Sequence, residues 1–189
     1  MKLTKLSNVT KALCASALML TGTSALYAQT AATQAASTTA ANPLPQTDRD
    51  FVQAASMSSS TEIDAAKLAS KNSNNKDVKS FAHHMMVDHT KLTVELKMAA
   101  PHGVQVPKDN SDTSVLDALR PLKGRAFDRA YAQKVGLEGH RQAIAAFRKE
   151  ISEGQDASLK QAARSALPTI NEHYQKAQQL AQRVGVSTQ

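Results

Sequence analysis

Tryptophan is absent from this chain of 189 residues, cysteine occurs once, and aromatic residues reach only 4%. Each shortage excludes a class of protein. The lone cysteine, Cys14, falls in an N-terminal leader, so the rest can build neither a disulfide framework nor a thiolate metal site. Three tyrosines, four phenylalanines and no dense Lys/Arg run offer little for stacking on bases, and nucleic acid is not an expected partner. Long hydrophobic runs are missing too. The apolar stretch Ala12–Leu20 falls well short of the roughly 20 residues that cross a bilayer. Phosphate loops and nucleophile-elbow glycines are likewise lacking, which removes the common signatures of nucleotide and acyl chemistry.

What is present begins with compartment. Lys2, Lys5 and Lys11 precede the apolar stretch, and small residues follow it to Ala28. That is the layout of a secretory signal peptide over residues 1–28, which predicts an exported protein. Loss of its three lysines lowers the net charge from +7 to +4, so most of the basicity is targeting. The modest charge that remains leaves peripheral contact with an anionic envelope open. Residues 29–47, "QTAATQAASTTAANPLPQT", carry no charge and almost nothing large to bury, as a flexible tether would.

From Asp48 to Val184 the chain suits one all-α domain, with residues 185–189 as a tail. Asp48 is the expected N-cap of a first helix running to Ser70. A second spans about Asn75 to Ala100 and stops at "PHG". The connection Val104–Lys123 is long enough for a short helix, capped by Ser111 or Asp112 and ending near Leu119. A third long helix covers Gly124 to Glu153, and a fourth Asp156 to Val184, with a kink expected at Pro168. Two helical hairpins joined by a long link make an antiparallel four-helix bundle.

Residues three, four and seven apart share a helix face. On the first helix that face carries Phe51, Ala55, Glu62, Ala66 and Ala69, and on the second Ala82, Met85, His89, Leu92 and Leu96. The third aligns Leu137, His140, Ile144, Phe147 and Ile151. The fourth aligns Leu159, Ala163, Ala166, Ile170, His173, Ala177 and Leu180. Each inward stripe thus holds one ionisable residue: Glu62, His89, His140 or His173. His83 and His84 fall off the stripe and are expected to face solvent, while Asp88 flanks it within reach of His84 or Lys91.

A buried carboxylate without partners is costly, and a cluster of imidazoles needs matched donors and acceptors. One divalent cation answers both needs, because imidazole nitrogens with a carboxylate oxygen suit zinc, copper or iron. A hydrogen-bonded network with bridging water answers them too. The two readings stand side by side at this level.

Five motifs in order then point to a family: "FVQAASMSSSTEIDAAKLA", "VKSFAHHMMVDHTKL", "GRAFDRAY", "GHRQAIAAF" and "LPTINEHY". From about Asp48 to Leu180 the chain resembles domain-of-unknown-function family 4142, bacterial exported proteins of ferritin-like type. The resemblance implies a ferritin-like four-helix bundle and a periplasmic or outer-membrane-associated location. It places the family's polar positions on Glu62, Asp88, His89, Asp128, His140 and His173. Asp88 and Asp128 would then support the metal ligands from behind. Di-iron bundles use Glu-x-x-His pairs, but Met86, Leu137 and Ile170 stand three before the inward histidines, so a ferroxidase centre is disfavoured. The expected roles are metal sequestration or envelope stress tolerance. The alternatives are a structural or interaction protein of the cell envelope and, with less to recommend it, a metal-dependent redox enzyme.

Overall fold

The computed structural model describes residues 43–188, so the predicted signal peptide and residues 29–42 of the tether lie outside the described residues. The described part is all-helical. Helix α1 spans Gln46–Asn72 and α2 Lys76–Ala99, with a short α3 (Thr113–Leu119) in the link that follows. The third long rod is composite: α4 (Gly124–Tyr131), a π-helical segment (Ala132–Gly139) and α5 (His140–Glu153). Helix α6 (Ala157–Arg183) closes the bundle.

Local chemistry sets most of these limits. Asn75, Asp112 and Asp156 each accept two backbone N–H groups at the starts of α2, α3 and α6, as N-caps do. Gly103, at φ +86°, takes the left-handed conformation in the turn after α2 that a side chain would resist. Pro168 lies inside α6 on its exposed side, and the helix continues through it.

The cap expected at Asp48 is a correction. Helix α1 begins earlier, after Pro45, and Asp48 lies inside its first turn, fully buried. Its carboxylate accepts the backbone N–H groups of Gln155 (3.0 Å) and Asp156 (2.7 Å). It therefore satisfies the turn into α6, not its own helix.

Tertiary ties fix the directions of the rods. Asp48 joins the start of α1 to the turn between α5 and α6, while Asn72 at its end bonds Lys123 and the Arg120 carbonyl before α4. Arg183 at the end of α6 meets Asp77 at the start of α2 at 3.3 Å. Helix α1 packs on α2 and α5, and α6 on α5 and α2, so every adjacent pair is antiparallel. The connection 100–123 carries the chain back along the bundle, the one long crossover of a four-helix arrangement.

The core is divided. One apolar cluster holds Ala65, Val78, Met85, Phe127, Tyr131 and Leu180, and the other Phe51, Leu96, Ile144, Phe147, Leu159 and Ile170. Phe51 and Phe147 meet edge-to-face at 5.0 Å in the second. On all four rods the residues between these clusters are polar: Ser59 and Glu62, His89, His140, and His173. A buried polar layer crosses the middle of the bundle.

Candidate metal centre

Glu62, His89, His140 and His173 are each no more than 3% exposed, so all four predicted inward residues are buried. Three of them converge. One ring nitrogen from each of His89, His140 and His173 lies within 4.8 Å of the other two, and ring centroids are 5.4–5.9 Å apart.

Each ring is steadied through one nitrogen only. His89 Nδ1 lies 3.3 Å from Ser59 Oγ on α1. His140 Nδ1 donates toward the carbonyls of Gly136 (3.0 Å) and Val135 (3.2 Å). His173 Nε2 meets Asp88 Oδ2 at 2.8 Å. The remaining nitrogens, His89 Nε2, His140 Nε2 and His173 Nδ1, have no partner among the described residues. Buried polar atoms are paired in the great majority of cases, so three such atoms in one layer call for a reason.

The π segment is the device that orients His140. A π turn adds a residue, which leaves carbonyls of the preceding turn without ordinary helical partners and free to accept from the ring. Gly136 also lets the rod approach α6, since a Cβ there would stand 3.1 Å from Ala177 Cβ. No period-3.6 reading contains this segment. What the sequence offers there is the pair Gly136 and Gly139 just before His140.

Glu62 does not join the cluster of three. Its Oε1 lies 3.3 Å from His140 Nδ1, beside the nitrogen already held by carbonyls, and Oε2 has no protein partner. Burial raises its pKa well above the usual carboxylate range. Burial also lowers His140 to about 4, with His173 adding to the effect, and lowers His89 well below the usual value with help from His140 and His173. His173 falls as well, because burial outweighs the opposing pull of Asp88. At neutral pH the three imidazoles are therefore uncharged, the form that ligates metals, while burial favours the protonated form of Glu62.

Asp88 and Asp128, the two predicted supporting acids, part company. Asp88 holds His173. Asp128 is buried but accepts from Ser73 Oγ at 2.5 Å in the α1–α2 turn, where its service is to the hairpin. Asp88 Oδ2 also lies 3.3 Å from His84 Nε2, and Lys176 Nζ stands 2.9 Å from that same nitrogen. His83 faces solvent as expected, but His84 is only half-exposed and engaged, a role that the stripe geometry missed. Asp88 and His84 line an open groove of about 720 Å³, whose other walls include Phe51, Leu92, Leu96 and Phe147.

Residues 30–180 match the profile of the family described as Domain of unknown function (DUF4142). No curated protein matches the chain. A DUF305 protein from Streptomyces coelicolor, considered to be secreted, is similar in its crystal structure, with a TM-score of 0.61 at 14% identity. The match covers 76% of this chain and 95% of that one, and at this identity it speaks for the helical fold alone. Among the described residues no helix is long and apolar enough to cross a membrane.

Proposed function

The chain belongs to the domain-of-unknown-function family DUF4142, and from its own residues we propose that it is a periplasmic protein that holds one transition-metal ion. The ligands are His89, His140 and His173, with zinc, copper or iron as the metals that imidazole suits. One observation carries the reading: each of three buried rings is anchored by one nitrogen and leaves the other unpartnered by protein within the same layer. Metal-bound histidines characteristically give their second nitrogen to a carboxylate or a backbone carbonyl, which here are Asp88 and Gly136. Glu62 stands behind His140 in the same supporting sense, not as the fourth ligand that the stripes suggested. Metal–nitrogen bonds of about 2.1 Å put ligand nitrogens about 3.3–3.6 Å apart, so the rings close in slightly on the ion. Sequestration or tolerance of envelope stress is the service proposed, with peripheral association with the outer membrane as a further part of it.

Untagged protein should retain zinc, copper or iron through desalting, and His140→Ala should retain about one equivalent less. Retention below about a tenth of an equivalent, with no thermal stabilisation by the added metals, overturns the reading.

A second reading is a structural or interaction protein whose polar layer only sets helix register. It draws on the same anchors, since Ser59, Gly136 and Asp88 already occupy one nitrogen of each ring. It predicts that His140→Leu folds with equal or greater stability and that added metal leaves the wild-type melting temperature unmoved.

A further inference from the structure

We infer that a second cation site, formed by His84, Asp88 and His173, lies on the groove side of the polar layer and draws zinc or copper(II) from solvent. It rests on the proposed function only in that His173 serves both sites.

The donor atoms of these three residues lie within 4.8 Å of one another, with Asp88 Oδ2 3.3 Å from His84 Nε2 and 2.8 Å from His173 Nε2. Helix geometry explains the arrangement. His84 and Asp88 are one turn apart on α2 and share a face, whereas Asp88 and His89 are consecutive and point about 100° apart. So α2 presents Asp88 to one side of the His173 ring and His89 to the other. His173 is fully buried and offers Nε2 to Asp88, while its Nδ1 has no protein partner.

Exposure separates the two sites. The His84 and Asp88 side chains are 43% and 26% exposed, and both line the groove. An ion can reach them without opening the bundle. Two imidazoles and one carboxylate form a donor set for zinc or copper(II), and a poor one for calcium or magnesium, which require several oxygens.

Lys176 stands against His84 Nε2, one of the donors that the ion would take. Its ammonium stands 2.9 Å from His84 Nε2 and 2.7 Å from Glu172, so it supplies a positive charge beside the donors and has an alternative partner at hand. The other charges on the groove wall, Lys91 and Glu95, pair with each other at 3.6 Å. Binding at His84 therefore requires Lys176 to withdraw to Glu172, and a dication replaces the charge it removes.

Zinc titrations of untagged full-length protein in competition with a chromophoric chelator test this, using His140→Ala to disable the buried triad and His89→Ala as a second such variant should the first fold poorly. The expected result is one equivalent of zinc in either variant, lost when His84→Ala is added and tightened about tenfold by Lys176→Met, which removes a like charge. No binding by the triad variants, or binding indifferent to His84, overturns the second site. Zinc bound by His84→Ala alone reports the buried triad. If that single variant binds nothing while His140→Ala binds one equivalent, the buried-site reading fails and the outer site stands.

Discussion

Glu150 and Asp48 bring two carboxyl groups together at the end of the bundle where α1 begins and α5 ends. Asp48 is already committed as an acceptor of two N–H groups, and no protein donor reaches either oxygen of Glu150. Burial, followed by the negative charge of Asp48, pushes Glu150 up to about 7, while Lys160 pulls weakly the other way and Asp156 adds to the rise. A raised folded-state value means that the native protein holds this proton more tightly than the unfolded chain. The stabilisation is full below about 4.5 and is lost as the pH rises through about 7. Wild-type protein should therefore lose thermal stability relative to Glu150→Gln between pH 5 and pH 8; a constant gap between the two melting temperatures would refute the raised value. At the same scale, Asp88→Asn removes the carboxylate from His173 Nε2 and should weaken retained metal about 10- to 100-fold while far-UV circular dichroism stays unchanged.

The π segment is the element on which the centre turns. Its close contact with α6 at Gly136 leaves no room for a branched side chain, so Gly136→Val should destabilise the fold by about 1–3 kcal/mol in urea denaturation. Deleting Gln133 would return the segment to α-helical register and remove the wide turn whose carbonyls hold His140 Nδ1. Metal retention should vanish with helix content intact; full retention would show that the extra residue does not position the ring. This element also marks where the sequence stops being informative. The inward placement of Glu62, His89, His140 and His173 was legible because a side chain's face follows from helical period alone. Which atoms meet across the bundle was not, since axial height depends on how rods dock and on the inserted residue. Glu62 is inward as expected, yet lands beside Nδ1 of His140 and outside the cluster. Asp128 likewise flanks its stripe but lies too near the start of its rod, beside Ser73, to serve the histidines. Asp48 read as a cap because capping is local, whereas its true partners are more than 100 residues away.

Across the whole molecule, the polar layer parts two apolar clusters that would otherwise form one continuous core. Such a layer costs stability unless something other than the chain pairs the three ring nitrogens and Glu62 Oε2, which have no partner among the described residues. On the metal-binding reading, ligand at 100 times its dissociation constant at the buried triad should add about 2.7 kcal/mol, seen as a raised melting temperature that His140→Leu diminishes. The two-cluster plan has one more consequence. The three rings come from α2, α5 and α6, and their supports from α1, α2 and the π segment, so no fragment of the bundle contains the centre. An ion can be captured there only once the last rod has docked, and it leaves only when the rods part. On the metal-binding reading, loading follows the docking of the last rod, and the assembled bundle acts as the closed door.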